Sequence, residues 1–202
     1  MRSRILEAAI RCFRETGFET ATVAEICEAA DIAYGTFFNH FPTKLDLLRA
    51  IVDESQRTLA QSIETLGKQM GSTSEKFPAL FDLLTKNARE FGAGHRDLVA
   101  QMVTLGHQES PADTDRRLHA IFRSFFESGS ARGDVPEEEL DALTEIVLGA
   151  YTSIILGWVH FDGYPVRERS EAVARLLSRI LTHPSIPTTR RGSPDPGEER
   201  TS

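Results

Sequence analysis

The run Thr22-Val23-Ala24-Glu25-Ile26-Cys27-Glu28-Ala29-Ala30-Asp31-Ile32-Ala33-Tyr34-Gly35-Thr36-Phe37-Phe38-Asn39-His40-Phe41-Pro42-Thr43-Lys44 holds two short helical patterns joined by a tight turn. Thr22-Val23-Ala24-Glu25 has the form of a capping box. The hydroxyl can accept the Glu25 N–H while the carboxylate returns to the Thr22 N–H. Val23, Ile26, Cys27 and Ala30 then form one buried stripe. Asp31-Ile32-Ala33 breaks the pattern, and a very short helix is predicted over Tyr34 to His40, with Phe37 and Phe41 turned inward. Gly35, near the start of that helix, lets its backbone approach another surface closely.

Working outward, a packing helix precedes this pair. Leu6, Ala9, Ile10 and Phe13 line one face of a helix from Arg4 to Thr16, which Gly17 stops. A packing helix, a second helix, a tight turn and a third helix describe a helix-turn-helix. Residues 32–45 hold no Asp or Glu, although Glu25, Glu28, Asp31 and Asp46 flank them. A surface that meets phosphate must exclude acids. Lys44 stands at the start of a fourth helical pattern that runs towards Leu66.

The remaining chain is also helical. Helices are predicted near 77–92, 95–108, 113–131, 137–161 and 166–182, with Gly71-Ser72-Thr73-Ser74 as a loop and Pro78 near a helix start. Four of the nine prolines fall in 184–202 beside Ser, Thr, Gly and Glu, so that segment is expected to be a disordered tail. The domains expected are 1–47, a helix-turn-helix unit; 48–183, a larger helical unit; and 184–202, the tail.

The 202 residues carry a formal net charge of −7. Residues 1–50 hold six basic and seven acidic groups, whereas 51–182 hold 14 and 20. The acidity therefore sits in the second unit, and the overall charge does not argue against DNA binding. Cys12 and Cys27 lack C-x-x-C spacing and read as small core side chains. No secretory signal is visible, and the apolar run 146–161 is shorter than the roughly 20 residues of a bilayer span. A cytoplasmic protein without membrane contact is expected. The six histidines are scattered without metal-ligand spacing, and neither G-x-S-x-G nor a phosphate-binding glycine loop occurs. No enzyme activity, metal or cofactor is expected.

Gly17-Phe18-Glu19, Thr22-Val23-Ala24-Glu25-Ile26 and Tyr34 through Lys44 resemble, over about residues 4–50, the DNA-binding domain of the TetR family of bacterial transcriptional regulators. The resemblance implies an all-α fold, with Thr22 on a phosphate and Ala33, Tyr34, Gly35 and Thr36 at the start of a recognition helix in the major groove. It also implies Asn39 and His40 on bases or phosphate, and Lys44 holding a phosphate. Three departures stand out: Ala33 where Ser is frequent, Phe38 where Tyr is common, and an arm of only Met1-Arg2-Ser3.

The family resemblance further implies a homodimer on a palindromic double-stranded operator, whose last two helices form a four-helix bundle with the partner. Leu143, Val147, Tyr151 and Ile154 on one helix, and Val173, Leu176, Leu177 and Ile180 on the next, are the expected seam. A small hydrophobic or amphipathic effector is expected in a pocket of the middle helices, releasing the operator from a repressor. Its candidate lining is Gln101, Met102, Thr104, Leu105, His107, Phe122 and Phe126, with Tyr151 and Trp158. The alternatives are an activator of the same fold, or a helical small-molecule-binding protein whose DNA affinity is weak or lost.

Overall fold

The computed structural model describes residues 1–90, 93–109 and 111–182; at 87, 90, 93–94, 106–109 and 111–115 it describes the backbone alone. The expected tail 184–202 lies outside these residues, as does the side chain of His107. Among the described residues the α-helices are, in order, α1 Arg2–Thr16, α2 Val23–Ala30, α3 Tyr34–His40, α4 Lys44–Lys68, α5 Thr73–Glu90, α6 Ala93–Glu109, α7 Pro111–Ser130, α8 Leu140–His160 and α9 Val166–Thr182. A single 3-10 turn, Glu137–Glu139, leads into α8. Among the described residues there is no strand.

Two apolar cores divide the chain. The first gathers Ile5, Phe13, Ile26, Phe37, Phe41 and Leu47 from α1 to the start of α4, together with Leu98 and Leu105 of α6. The second gathers Ile63 of α4, Phe77 and Phe81 of α5, Phe122 and Phe126 of α7, Val147 and Ile154 of α8, and Leu177 of α9. Helix α4 spans both. Helix α6 is shared as well, since Val99 packs on the second core. By length and composition residues 137–160 are apolar enough to cross a membrane; in this fold Leu143, Val147, Ile154 and Trp158 are buried in the second core.

The capping box at α2 is formed: the Thr22 hydroxyl accepts the Glu25 N–H at 3.2 Å, and the Thr22 N–H donates to the Glu25 carboxylate at 2.7 Å. The turn after α2 closes through Asp31 in the left-handed region, φ 51°. The guanidinium of Arg4 donates to the Ala30 carbonyl at 2.8 Å, and that of Arg11 to the Ala29 carbonyl at 3.3 Å. Two basic side chains of α1 thus satisfy the carbonyls that the end of α2 leaves open.

Helix α5 corrects the sequence expectation. It begins at Thr73, four residues before the predicted start, so Thr73 and Ser74 belong to the helix and Pro78 is its sixth residue. Two features fix that start. Ser72 and Glu75 make a second capping box, and the Asp134 carboxylate accepts the Thr73 N–H at 2.5 Å. A proline inside a helix leaves the carbonyl four residues earlier without a donor. Here that carbonyl, Ser74 O, accepts the Ser178 hydroxyl of α9 at 2.7 Å.

Candidate nucleic-acid interface and ligand cavity

Tyr34, Gly35, Phe38, Asn39 and His40 are exposed on α3, Thr36 is half-buried and Ala33 is exposed at the N-cap. Phe37, between them, is fully buried and anchors the helix to the first core. Ala33 makes no side-chain cap. Nothing lies within 4 Å of a side-chain carbon built on Gly35, so the start of α3 is open to close approach. The helix carries no lysine or arginine, the usual guanine readers.

The cation expected to hold a phosphate has a different environment. The Lys44 ammonium donates to three backbone carbonyls: Phe18 at 2.7 Å, Glu19 at 3.1 Å and Ala21 at 3.1 Å. It also lies 4.7 Å from the centre of the Phe18 ring. An ammonium has three N–H donors, and all three are engaged within the protein. The sequence places Lys44 at a helix N-terminus but gives no sign of carbonyls delivered by a turn more than twenty residues away. At the start of α4, Thr43 caps by accepting the Asp46 N–H at 3.0 Å. Thr22 is likewise engaged with the Glu25 carboxylate. Arg2 and Ser3, expected in an arm ahead of a helix starting at Arg4, are instead the first two residues of α1, and Arg2 stacks over the Phe41 ring at 5.2 Å.

Helix α6 joins this unit to the rest. The Asp97 carboxylate accepts the Phe18 N–H at 2.9 Å, just after Gly17, whose φ of 86° closes α1. The Arg14 guanidinium donates to Nδ1 of His95 at 3.1 Å. Burial, and then the Arg14 charge, push the His95 pKa down to about 4. The ring is therefore neutral near pH 7, with its proton on Nε2. On the other side of α6, His95 packs against the Trp158 ring of α8 at 6.1 Å, and Arg96 pairs with Asp162 at 2.5 Å.

A cavity of about 910 Å³ opens beside α8. Arg116 and His119 of α7, Leu148 and Ser153 of α8, and Phe161 and Tyr164 beyond α8 line it. Its floor depends on Gly157: a side-chain carbon there falls 2.4 Å from the Tyr164 ring. The residues expected from sequence are not brought together around it. Met102 and Leu105 pack on the first core, and Phe122, Phe126, Tyr151 and Trp158 on the second. Gln101 is half-buried and Thr104 exposed. Aromatic side chains at helical spacing pack inward as core, as Phe122, Phe126 and Trp158 do here. Arg116, His119 and Tyr164 are not among the residues expected from sequence. The Gly157 and Tyr164 pair signals a close approach only once the fold joins them.

The expected seam residues divide similarly. Leu143, Val147, Ile154 and Leu177 are buried in the chain's own core, and Tyr151 and Val173 are half-buried. Leu176 and Ile180 remain about half exposed on α9, as does Ile146 on α8, which the spacing argument had not included. Along α8 the exposed positions Ala142, Ile146, Gly149 and Ser153 form a stripe of small and apolar residues. Among the described residues no cluster of three or more metal-ligating side chains occurs.

Residues 5–51 match the profile of the bacterial regulatory proteins of the tetR family. The chain is 30% identical over 154 residues to the HTH-type transcriptional repressor AcnR of Corynebacterium glutamicum, covering 75% of this chain and 80% of that protein. It is 39% identical over 66 residues to the HTH-type transcriptional regulator UidR of Escherichia coli K12, covering 32% and 34%. Among solved structures it is similar to Thermus thermophilus FadR in complex with lauroyl-CoA. That similarity has 25% identity and a TM-score of 0.63, over 98% of this chain and all of the other. The fatty acid degradation regulator FadR of Bacillus halodurans shares the fold at a TM-score of 0.69 and 20% identity, over 88% and 98%. With its helix-turn-helix, its all-helical body and these relatives, the chain belongs to the TetR family and is a DNA-binding transcriptional regulator.

Proposed function

We propose that the chain is a homodimeric repressor that leaves a palindromic operator when a small hydrophobic or amphipathic ligand binds its C-terminal body. The observation that carries this reading is helix α6. One face bonds the turn at Phe18 and the Arg14 side chain of α1, and the other meets Trp158 and Asp162 beside the cavity. A ligand that shifts α8 or its following loop therefore acts on a helix bonded to the DNA-binding unit. Coupling of this kind requires only that the ligand bind two arrangements with unequal affinity.

The dimer reading is supported by the half-exposed Leu176 and Ile180 on α9 and Ile146 on α8. A two-fold dimer matches two operator half-sites about 34–36 Å apart, or a multiple of that. Repression is supported by the name of the Corynebacterium relative. The ligand class is supported by a cavity whose walls combine Leu148 and Phe161 with Arg116 and His119; a related fold holds lauroyl-CoA. Such a regulator works in the cytoplasm, where its operator lies.

The test is a footprint on the DNA flanking its own gene, followed by a thermal-shift screen of small ligands. A protected palindrome, released by a ligand that raises the melting temperature, is the expected result. An absence of protection at low salt contradicts the proposal.

A further inference from the structure

The first fifty residues contain five phenylalanines, and four of them, Phe13, Phe18, Phe37 and Phe41, are buried. Phe38 is left 40% exposed on α3, and Tyr34, one turn earlier, is 56% exposed. Their ring centres are 5.1 Å apart. Phe38 also meets the buried Phe37 edge-on at 5.2 Å, so its ring is braced from beneath by the core. The outward face of α3 is thus a rigid aromatic pair with an amide, Asn39, beside it and no lysine or arginine.

We infer that Tyr34 and Phe38 read the C5-methyl groups of thymine, so that an apolar contact, together with Asn39, sets the operator preference. In the major groove the thymine methyl is the one apolar feature among the base edges; guanine offers O6 and N7, which favour arginine or lysine. Helix α3 has neither, and Lys44, the one lysine of the first fifty residues, is engaged with three carbonyls. Asn is suited to the N6 and N7 edge of adenine, the base paired with thymine. Rings four residues apart on a helix lie ~6 Å apart along its axis, close to two base steps of about 3.4 Å. The open backbone at Gly35 allows the close approach that methyl contact needs. This role rests on α3 entering the major groove.

The experiment selects a preferred site for the full-length chain from a random duplex pool, then replaces each thymine of that site with deoxyuridine. Burial of one methyl is worth about a fourfold change in affinity. At least one replacement in each half-site is expected to weaken binding by about that factor. Phe38→Ala or Tyr34→Ala is expected to abolish the penalty at the matching position, while Phe38→Tyr retains it. Phe38→Ala loses its contact with Phe37 and is expected to lower the melting temperature, so each variant is scored by the ratio of its affinities for the thymine and deoxyuridine duplexes, which a uniform loss of folded protein leaves unmoved. Deoxyuridine tolerated at every position, or a full penalty surviving in both alanine variants, overturns the assignment. Rings that instead serve a protein partner give that second pattern. A pool that yields no enriched site at low salt overturns the DNA-binding reading and the assignment with it.

Discussion

Replacing Lys44 with Met removes the ammonium while keeping an unbranched apolar stem. In the structure that ammonium joins α4 to the turn between α1 and α2 through the carbonyls of Phe18, Glu19 and Ala21. Hydrogen bonds to a charged group contribute about 1.5–3 kcal/mol each in favourable settings. Three bonds to one half-buried ammonium share that charge and are partly screened by water, so their combined worth is roughly 2–3 kcal/mol. The stacking over Phe18 adds about 0.5–1 kcal/mol. Urea denaturation should therefore show a loss of roughly 2–4 kcal/mol, a large share of the ~5–15 kcal/mol typical of a domain. Binding to a preferred duplex, titrated across salt concentrations, should keep its slope because all three donors of the ammonium are engaged within the protein. A side chain neutralising one phosphate would contribute about 0.9 to that slope. Unchanged stability together with a slope shallower by about that amount would refute the structural role and restore the phosphate role.

Three further outcomes are expected. His95 is held neutral, with a folded pKa of about 4 against 6.5 unperturbed. The unfolded chain thus binds more protons between those values, and stability falls by roughly 3 kcal/mol as pH drops from 6.5 to 4; urea midpoints across that range should flatten in His95→Gln, and an unaltered profile in that variant excludes this ring as the source. Gly157→Ala forces a carbon into the Tyr164 ring and should cost about 1–3 kcal/mol; Tyr164→Ala in the same chain should relieve it, and a neutral single variant contradicts the close approach. Leu176→Asp places a charge on an exposed face and should leave the monomer folded while sedimentation shows loss of the dimer; a dimer that persists places the seam elsewhere.

The reading half was legible because its signals are local. A threonine and a glutamate three residues apart start α2, Gly17 ends α1, and the spacing of Phe37 and Phe41 orients α3. The start of α5 carried a similar local sign in Ser72 and Glu75, but the predicted loop obscured it. The reasons Pro78 is tolerated and Thr73 is anchored lie in Ser178 and Asp134, 104 and 61 residues away. Distance in sequence also hid the partners of Lys44. In the body, periodicity identifies an apolar face but not its neighbour. Val147 and Ile154 turned to their own core while Ile146 stayed outside. The cavity was illegible for the same reason, since its wall joins α7, α8 and the following loop.

Sequence-specific DNA binding is measured most directly by a gel-shift titration of the full-length chain on its selected duplex against a scrambled duplex of equal length. Preferential binding is expected to a site with two equivalent half-sites, whose centres lie one or more helical turns of about 10 base pairs apart. Equal affinity for the scrambled duplex at every salt concentration would contradict it.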